Sequence, residues 1–394
     1  MGPELIRFLT SDPASAEIRE LVESEVGPAD ALSVVAGLRR AHGREQAAAI
    51  FETALLRQRA RAKFTDPSRM LFDREGLEQA TAQPVARWRA RAIAATDPDL
   101  IVDLGCGIGG DALELTRIAS VVGVDVDRSR LRLARHNTAV SGGPHPLHLV
   151  EGDSSSLSPI HCDVVFADPG RRSGGRRIRG LDSYLPPVAP LIERWRSAAS
   201  SIVVKVAPGI SDDEIPPGAS VEWVSYGGDL REAVVVLGDL RAAALKTASV
   251  LPVGISITGP EPEGIPISEI GRWLLEPDAA VIRAGLVRVL AAEVGAAMID
   301  PAIAYLTSDS PIDHPMLSSY PVDEVMPFNL KRLRRRLAEL GVGTVTIKKR
   351  GSPITPEQLR PRLRLEGERS ATIFLTRVGE APVVALGLDR GLTS

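Results

Sequence analysis

The chain has 394 residues, of which 44% are apolar and 25% charged, and its net charge at neutral pH is −3. This is ordinary globular composition, and the length allows two or three domains with their own cores. The only two cysteines, Cys106 and Cys162, exclude a disulfide scaffold and a cysteine-based zinc site, which fits a reducing cytosol. Because the net charge is small, a basic surface that attracts nucleic acid must be local.

The sequence also argues against a membrane or metal partner. No run approaches the roughly 18 apolar residues of a membrane span, and the first residues lack the apolar core of a signal peptide. We therefore expect a cytoplasmic protein. His145, His148 and His161 lie close together in the sequence, but no carboxylate or cysteine pair at matching spacing accompanies them. No metal site is expected from them.

Residues 1–75 predict a helical N-terminal domain. A Ser or Asp cap precedes the helical pattern of SDPASAEIRELVESEV, and helix formers dominate REQAAAIFETALLRQRARAKF. The next segment, TDPSRMLFDREGLEQATAQPVARWRARAI, predicts a loop and a further helix that is entered through Thr81 and Pro84.

Residues 76–242 predict an α/β domain. From residue 99, short apolar strands alternate with helices, which indicates a doubly wound parallel sheet covered on both faces. The last two strands lie close together in the sequence and predict a hairpin. The strand segments are DLIVDLG, SVVGVDVD, LHLVEGD, DVVFADPG, SIVVKVAPG, SVEWVSYGG and EAVVVLGDL.

The remaining chain predicts a linker and an α+β domain. Pro, Gly and Ile dominate residues 243–270, which indicates a linker or a small β segment. Residues 271–394 are expected to begin with helix at RWLLEPDAAVIRAGLVRVLAAEVGA and to continue as mixed structure. The later elements are the helix FNLKRLRRRLAEL, the strand GTVTIKKRG, the helix TPEQLRPRLR and a final hairpin, SATIFLTRV with APVVALGLD.

A glycine-rich loop, DLGCGIGG at residues 103–110, follows the first strand and opens a helix. Glycines allow a tight turn and close approach to a ligand, and a helix N-terminus presents unpaired N–H groups. Gly105, Gly107 and Gly110 also satisfy G-x-G-x-x-G, so dinucleotide binding is one alternative. Asp103 argues against it, because a pyrophosphate would avoid an anion there. A carboxylate at this position suits the cationic methionine end of S-adenosylmethionine.

Three further acidic residues end successive strands. Asp125 ends the second strand and suits the ribose hydroxyls. Asp153, in EGDSS, ends the third and suits the exocyclic amine of adenine. Asp168, in ADP, ends the fourth, at the carboxyl edge where open α/β sheets bind their ligands. The set favours a methyltransferase over dinucleotide binding and over a site that binds without catalysis.

These motifs resemble those of the class I S-adenosylmethionine-dependent methyltransferases. The segment KFTDPSRMLFDREGLEQATAQPVARWRARAI resembles the one that precedes the core of trimethylguanosine synthase-like RNA methyltransferases, and residues 271–394 are similar to a THUMP-like domain. The resemblance implies a Rossmann-like fold and S-adenosylmethionine as cofactor. The cofactor-binding residues that it implies are Thr81, Asp103, Gly105, Cys106, Gly107, Gly109, Asp125, Val126, Asp153 and Asp168.

The catalytic corner departs from the pattern of these relatives. They usually carry a Pro-Pro-aromatic sequence, whereas here Gly170 replaces the second proline and Arg171 and Arg172 stand in place of the aromatic residue. A guanidinium can stack on a base or bind phosphate with two hydrogen bonds. A cap guanine is therefore not the expected substrate. The expected catalytic residues are Asp168, Pro169, Arg171 and Arg172.

Two basic stretches suggest an anionic acceptor. Residues 163–180 hold five arginines and two aspartates, and residues 331–377 hold thirteen basic and four acidic residues. The alternative is that both stretches are merely solvated. The expected RNA-binding residues are Arg171, Arg172, Arg176, Arg177, Lys348, Lys349 and Arg350.

The sequence thus predicts a methyltransferase that modifies a base nitrogen in structured RNA, with the C-terminal domain binding phosphate and shape. Two alternatives stay open. One is a methyltransferase that acts on a protein or a small molecule. The other is an RNA-binding protein that keeps the cofactor without turnover.

Overall fold

The computed structural model describes residues 1–171 and 180–389. The chain forms two compact units. Unit 1 comprises residues 1–222 and 232–245, and unit 2 comprises residues 223–231 and 246–394. Within the described residues, no helix combines the length and the apolar content that crossing a membrane requires.

The N-terminal part of unit 1 is helical, as predicted. The helices before residue 80 pack their apolar faces into one core, in which Leu9, Ile18 and Ile50 are fully buried. Ala90 and Ile93 of the last helix pack instead with residues of the sheet. Proline occupies the first turn of three of the helices, where its missing N–H costs nothing. The helices are α1 (Pro3–Leu9), α2 (Asp12–Glu23), α3 (Ala31–Leu38), α4 (Arg44–Ala60), α5 (Arg74–Gln79) and α6 (Gln83–Ala94), with a 3-10 turn at Pro28–Asp30.

The rest of unit 1 is the predicted α/β alternation. Its strands are β1 (Leu100–Leu104), β2 (Ser120–Asp125), β3 (Leu147–Glu151), β4 (Cys162–Ala167), β5 (Gly170–Arg171), β6 (Tyr184–Leu185) and β7 (Ala199–Val206). Two further strands, β8 (Ser220–Tyr226) and β9 (Asp229–Gly238), belong only in part to unit 1, because Trp223–Arg231 is assigned to unit 2. The helices are α7 (Ala112–Leu115), α8 (Arg128–Ser141) and α9 (Val188–Trp195), with 3-10 turns at Leu181–Ser183 and Asp212–Glu214.

The large sheet orders these strands β8-β9-β7-β4-β1-β2-β3. Strands β3, β2, β1, β4 and β7 run parallel, and β9 is antiparallel to β7. Leu104 lies opposite both Val124 and Ala167, so the carboxyl ends of β1, β2 and β4 reach the same edge. The short strands β5 and β6 form a separate antiparallel pair directly after that edge.

Asn137 of α8 joins three parts of unit 1. The side chain is fully buried, and its amide group donates to the carbonyl oxygens of Leu71 and Ile108, both at 3.0 Å. Its carbonyl oxygen accepts from the Leu71 N–H at 2.8 Å. One side chain therefore fixes the segment before α5 and the glycine-rich loop onto the same helix.

Unit 2 contains two four-stranded sheets and a hairpin. Strands β10 (Lys246–Leu251) and β11 (Ile255–Thr258) are antiparallel. The first sheet, ordered β13-β14-β12-β15, consists of β12 (Trp273–Pro277), β13 (Ala297–Met298), β14 (Leu306–Ser308) and β15 (Leu317–Pro321). The second, ordered β16-β19-β18-β17, consists of β16 (Glu324–Pro327), β17 (Val342–Lys349), β18 (Arg369–Val378) and β19 (Ala381–Leu388). The helices are α10 (Ala279–Arg283), α11 (Val287–Val294), α12 (Leu330–Glu339) and α13 (Pro356–Leu363).

The second sheet of unit 2 is covered on both faces. Ile373 and Leu375 share a core with leucines of α12 and α13, including Leu333. Phe374 points to the opposite face, because side chains alternate along a strand. There its ring centroid lies 5.6 Å from that of Tyr305 and 5.1 Å from that of Tyr320.

Most predicted elements of unit 2 are confirmed, but one is wrong. The helices at 330–339 and 356–363, the strand at 342–349 and the final hairpin are present. The expected helical start at residue 271 is instead strand β12, Trp273–Pro277, which pairs with β14 and β15. A short apolar run such as WLL has no decisive period, so the partner strands on both sides determine its structure.

Replacing Asn137 should destabilise the protein through its buried hydrogen bonds. We expect Asn137→Ala to lower the free energy of unfolding by about 2–4 kcal/mol, because buried backbone groups of Leu71 and Ile108 lose their partner. Urea denaturation measures this change. Thr138→Ala on the same helix is the control, since the Thr138 hydroxyl donates to the carbonyl oxygens of Ala134 and Arg135 within α8, and it should change stability by less than about 0.5 kcal/mol. Equal effects of both variants would contradict the linking role of Asn137.

Candidate functional site

The glycine-rich loop after β1 has a backbone that only glycine adopts readily. Gly105, Gly107 and Gly109 have φ of 84°, 54° and 84°, in the left-handed region. A Cβ added at Gly109 would lie 3.1 Å from the Cα of Ala134, tighter than an ordinary contact. The N–H groups of Gly105 and Cys106 donate to the carbonyl of Val124 on β2. The loop is thus held on the sheet edge, with Gly105 exposed and Cys106 buried as a packing residue.

Asp103, at the end of β1, is a buried carboxylate without a partner. It is 1% exposed, and neither of its oxygens accepts a hydrogen bond from the described residues. Burial, followed by the nearby carboxylates of Asp111 and Asp168, raises the pKa of Asp103 well above its usual value. An unpaired buried carboxylate is costly unless a ligand completes it. The residues therefore fit S-adenosylmethionine, whose ammonium group would supply the missing donor.

The ends of β2 and β3 carry the next two predicted residues. Asp125 is 8% exposed and accepts from the N–H groups of Gly107 at 2.9 Å and Asp127 at 2.8 Å. It therefore holds the glycine-rich loop and keeps lone pairs for further donors. Val126, directly after Asp125, is 69% exposed, so its apolar side chain is accessible at the same edge of the sheet. Asp153 is exposed, and hydrogen bonds from Ser155 lower the pKa of its carboxyl.

At the end of β4, a chain of hydrogen bonds begins at Asp168. Lys205 Nζ donates to Asp168 Oδ2 at 2.7 Å and to Thr81 Oγ1 at 2.9 Å. Thr81 Oγ1 donates in turn to Asp111 Oδ2 at 3.0 Å. Asp168 Oδ1 accepts no hydrogen bond from the described residues. The buried Pro169 follows and fixes the backbone of this corner.

Arg89 of α6 joins the same network through Asp111. Its side chain is 5% exposed, forms ion pairs with Asp111 and Glu232, and lies 4.7 Å from the ring centroid of Phe166. Burial lowers the pKa of Arg89, but the two carboxylates raise it by more, so the guanidinium stays charged. Among the described residues, the cluster contains two cations and four carboxylates, and this surplus of acidic groups favours a cationic ligand. Its members are Arg89, Lys205, Asp103, Asp111, Asp168 and Glu232.

Sequence reasoning missed four of these residues. Lys205 is a lone charge within the apolar strand β7, and Glu232 precedes the apolar run of β9. Arg89 lies on the buried face of α6, and Asp111 follows the glycine-rich loop. A charge within an apolar run is the signal that could have found Lys205 and Glu232, because such a charge needs a partner.

Most of the arginines that were expected to bind the substrate are not among the described residues. The side chain of Arg171, and the whole of Arg172, Arg176 and Arg177, lie outside them. Among the described residues, no cluster of three or more His, Cys, Asp or Glu side chains could hold a metal ion.

The structure brings two of the C-terminal candidates together in unit 2. Lys348 forms an ion pair with Glu276, and Arg350 Nη2 lies 3.2 Å from Glu276 Oε1. Lys348 Nζ is 4.9 Å from the ring centroid of Tyr320. Lys349, between them, is exposed. A phosphate would therefore have to compete with Glu276 for Lys348 and Arg350.

The strand order, the left-handed glycine loop and the acidic strand ends together define a Rossmann-like methyltransferase. Comparison with known proteins agrees. Residues 101–169 match the methyltransferase domain model, residues 317–387 the THUMP domain-like model, and residues 3–60 a domain of unknown function.

An uncharacterized S-adenosylmethionine-dependent methyltransferase of Mycobacterium tuberculosis is 39% identical over 355 residues, which cover 86% of this chain and 95% of the relative. The chain belongs to the family of S-adenosylmethionine-dependent methyltransferases, and S-adenosylmethionine is its cofactor.

Other similarities are more distant. Trimethylguanosine synthase of Schizosaccharomyces pombe is 22% identical over 36% of this chain and 64% of that protein. An uncharacterized RNA methyltransferase of Gloeobacter violaceus is 34% identical over 23% of this chain and 20% of that protein. The crystal structure of a putative methyltransferase from Porphyromonas gingivalis superposes with a TM-score of 0.74 at 22% identity, covering 89% of this chain and 92% of the other, which shows the shared fold.

Asp103 should control cofactor affinity in a pH-dependent way. In the free protein its raised pKa keeps the carboxyl protonated over more of the pH range, and a cationic ligand favours the ionised form. We expect the affinity for S-adenosylmethionine to rise with pH until the pH exceeds that pKa. Asp103→Asn should weaken binding about tenfold or more and remove this rise, as measured by isothermal titration calorimetry.

The matched control is Asp99→Asn, an exposed residue just before the opposite end of β1. It should leave both the affinity and its pH dependence unchanged. Binding of S-adenosylmethionine by Asp103→Asn as tightly as by the wild type would contradict the assignment.

Proposed function

We propose that this enzyme methylates a base nitrogen in structured RNA. The observation that carries the proposal is the hydrogen bonding of the Asp168 carboxylate at the sheet edge. Lys205 holds one of its oxygens, and the other accepts nothing from the described residues. A carboxylate oxygen in this position suits an N–H group of an exocyclic amine.

When bound, S-adenosylmethionine supplies the methyl group, whose bond to sulfur breaks as its bond to nitrogen forms, leaving S-adenosylhomocysteine. Asp168 would accept a hydrogen bond from the acceptor nitrogen and orient its lone pair. It would then receive the proton that this nitrogen loses. Most of the rate enhancement would come from holding the reactants in line. Pro169 would fix the corner, and Arg171 and Arg172 would bind the anionic acceptor.

We assign the cofactor contacts to residues at the same edge of the sheet. Asp103 would bind the ammonium group, Asp125 the ribose hydroxyls and Asp153 the adenine amine. Val126 would cover one face of adenine. The glycine-rich loop would lie against the methionine part through Gly105, Gly107 and Gly109, with Cys106 packed beneath. Thr81 would line the pocket from the segment before α6.

RNA as the acceptor is supported by unit 2 and by the relatives. The two helices that cover the THUMP-like sheet expose cations on their outer faces, and Lys349 adds another. Arg335 pairs with Glu339 at 3.6 Å on the exposed side of α12, and the less exposed Arg336 is bonded to Glu324 at 2.6 Å. The names of two relatives, trimethylguanosine synthase and RNA methyltransferase, support the same substrate class. The exposed cations of α12 and α13 are Lys331, Arg332, Arg335, Arg360 and Arg362.

On this proposal the chain has a helical domain at 1–75, a catalytic domain at 76–242, a connecting segment at 243–270 and an RNA-binding domain at 271–394. A methyltransferase with a protein or small-molecule acceptor would use the same catalytic edge, and it is the main competing function.

The proposal is tested by methyl transfer to RNA. Purified protein with tritiated S-adenosylmethionine should label total RNA from a strain that lacks the gene, and mass spectrometry of nucleosides should identify the base. Asp168→Asn should reduce labelling by about a hundredfold or more, because the variant has no proton acceptor, while cofactor binding persists.

Asp163→Asn is the control for this variant. It makes the same change on the same strand but near the opposite end, where Asp163 accepts from the N–H groups of Asp99 and Leu100. An asparagine oxygen can still accept there, so labelling should continue. Labelling of protein but not RNA would overturn the RNA proposal.

The basic helix faces should determine the salt dependence of RNA binding. We expect the triple variant Lys331→Ala, Arg332→Ala and Arg335→Ala to reduce the slope of log K against log salt by about 2–3, because each of the three cations would neutralise one phosphate. Fluorescence anisotropy at several salt concentrations measures the slope. The control triple, Arg39→Ala, Arg40→Ala and Arg44→Ala, changes exposed arginines near α3 and α4 and should leave it unchanged. Identical slopes for the two triples would exclude α12 as the phosphate-binding face.

A further inference from the structure

Lys205 occupies a position that links two parts of the active site. It lies on β7, between the end of β4 and the segment that precedes α6. Its ammonium group contacts Asp168 Oδ2 at 2.7 Å and Thr81 Oγ1 at 2.9 Å, and its side chain is 17% exposed. The segment that holds Thr81 packs on the glycine-rich loop, since a Cβ added at Gly110 would lie 3.4 Å from that of Ala80. Lys205 therefore bonds both to Asp168, at the end of β4, and to Thr81, in the segment that packs on the glycine-rich loop.

In the part of the chain that the structure describes, the charges around Asp168 come from four segments. Lys205 of β7 and Arg89 of α6 are the cations, and Asp111 and Asp103 are the anions. The pKa of Asp168 lies above its usual value, because burial and then Asp111 raise it, while Lys205 limits the rise. Without Lys205, a buried carboxylate would face two others, with Arg89 already bonded to Asp111 and Glu232. Such a group takes up a proton at higher pH than an ordinary aspartate does.

We propose that Lys205 is a positioning residue for methyl transfer, which keeps Asp168 ionised and directs its second oxygen toward the methyl acceptor. The inference rests on the proposed role of Asp168, and it does not depend on RNA as the substrate. Lys205 itself stays charged. Burial lowers its pKa, but Asp168 and Asp111 raise it by more. A protonated Asp168 would have no place for the proton that the acceptor nitrogen loses.

The cofactor and its product provide a probe of the charge on Asp168 that needs no acceptor. S-adenosylmethionine carries a positive sulfur and S-adenosylhomocysteine a neutral one, and the two are otherwise alike except for the methyl group. The ratio of their affinities therefore reports the charge near the sulfur. Effects of Asp103 on the ammonium group are common to both ligands and cancel in the ratio.

The test is to measure both dissociation constants by isothermal titration calorimetry from pH about 6 to about 9. In the wild type, Asp168 stays ionised and the ratio should be constant. In Lys205→Met, Asp168 should gain a proton at the lower pH values. The preference for S-adenosylmethionine should then increase about threefold to tenfold as the pH rises and the carboxylate forms.

Three variants make the result specific. Lys205→Arg retains the charge and should keep the ratio constant. The double variant Lys205→Met with Asp168→Asn has no carboxyl to titrate and should also give a constant ratio. If Lys205→Met does not fold, Lys205→Gln replaces it, because the amide lacks the charge but can still donate to Thr81 and Asp168.

A ratio that is independent of pH in folded Lys205→Met would overturn the proposal, since Lys205 would then only support the fold. A pH dependence that survives in the double variant would overturn it too, because another group would be titrating. The failure of RNA to accept methyl groups would leave these binding results standing, so the two proposals fail separately.

Discussion

The candidate site depends on an excess of buried negative charge at the carboxyl edge of the sheet. Four carboxylates converge there, and only two cations, Arg89 and Lys205, lie among them in the described part of the chain. Arg89 compensates Asp111 and Glu232, and Lys205 compensates Asp168, which leaves Asp103 unpaired. In a protein interior such an imbalance is unfavourable. A positively charged ligand would reduce this charge imbalance. The imbalance therefore favours a cationic cofactor.

The segment before the sheet is bonded to the candidate site through buried polar side chains. Asn137 bonds Leu71 and Ile108 to one helix, and Thr81 bonds to both Lys205 and Asp111. Lys63 braces the segment internally, since its ammonium group donates to carbonyl oxygens at the end of α5, including that of Ala80 at 2.7 Å. Two polar side chains, Asn137 and Thr81, thus connect this segment to the glycine-rich loop and to Asp111, which follows the loop. A shift of this segment would disturb the cofactor loop and Lys205 together.

The sequence was sufficient for those parts of the site that lie in local patterns. The glycine-rich loop and the acidic ends of β1, β2, β3 and β4 stand in fixed relation to apolar strands, so their place at one edge follows from parallel pairing. The network around Arg89 does not follow in this way. Arg89 and Glu232 are 143 positions apart, and Lys205 and Thr81 are 124 apart. These contacts form only when α6, β7 and β9 come together in the fold, and the hydrophobic periodicity of the sequence does not predict which side chains then meet. The prediction of a helix at β12 was wrong for a related reason, because pairing with β14 and β15 determines the conformation of this segment.

The basic stretch of unit 2 shows how charge counted along the sequence differs from charge in space. Residues 331–377 hold thirteen basic and four acidic residues, yet Glu276, well outside that stretch, bonds to both Lys348 and Arg350. Glu324, also outside it, bonds to Arg336. The positive charge that remains for a polyanion therefore shifts from the end of β17 toward the outer faces of α12 and α13. At the sheet edge in unit 1, the charge of Lys205 is likewise compensated by Asp168, to which it is bonded. Among the described residues, Lys348, Arg350, Arg336 and Lys205 are each bonded to a carboxylate that lies elsewhere in the sequence, so a count of basic residues along the chain overstates the positive charge that is left at the surface.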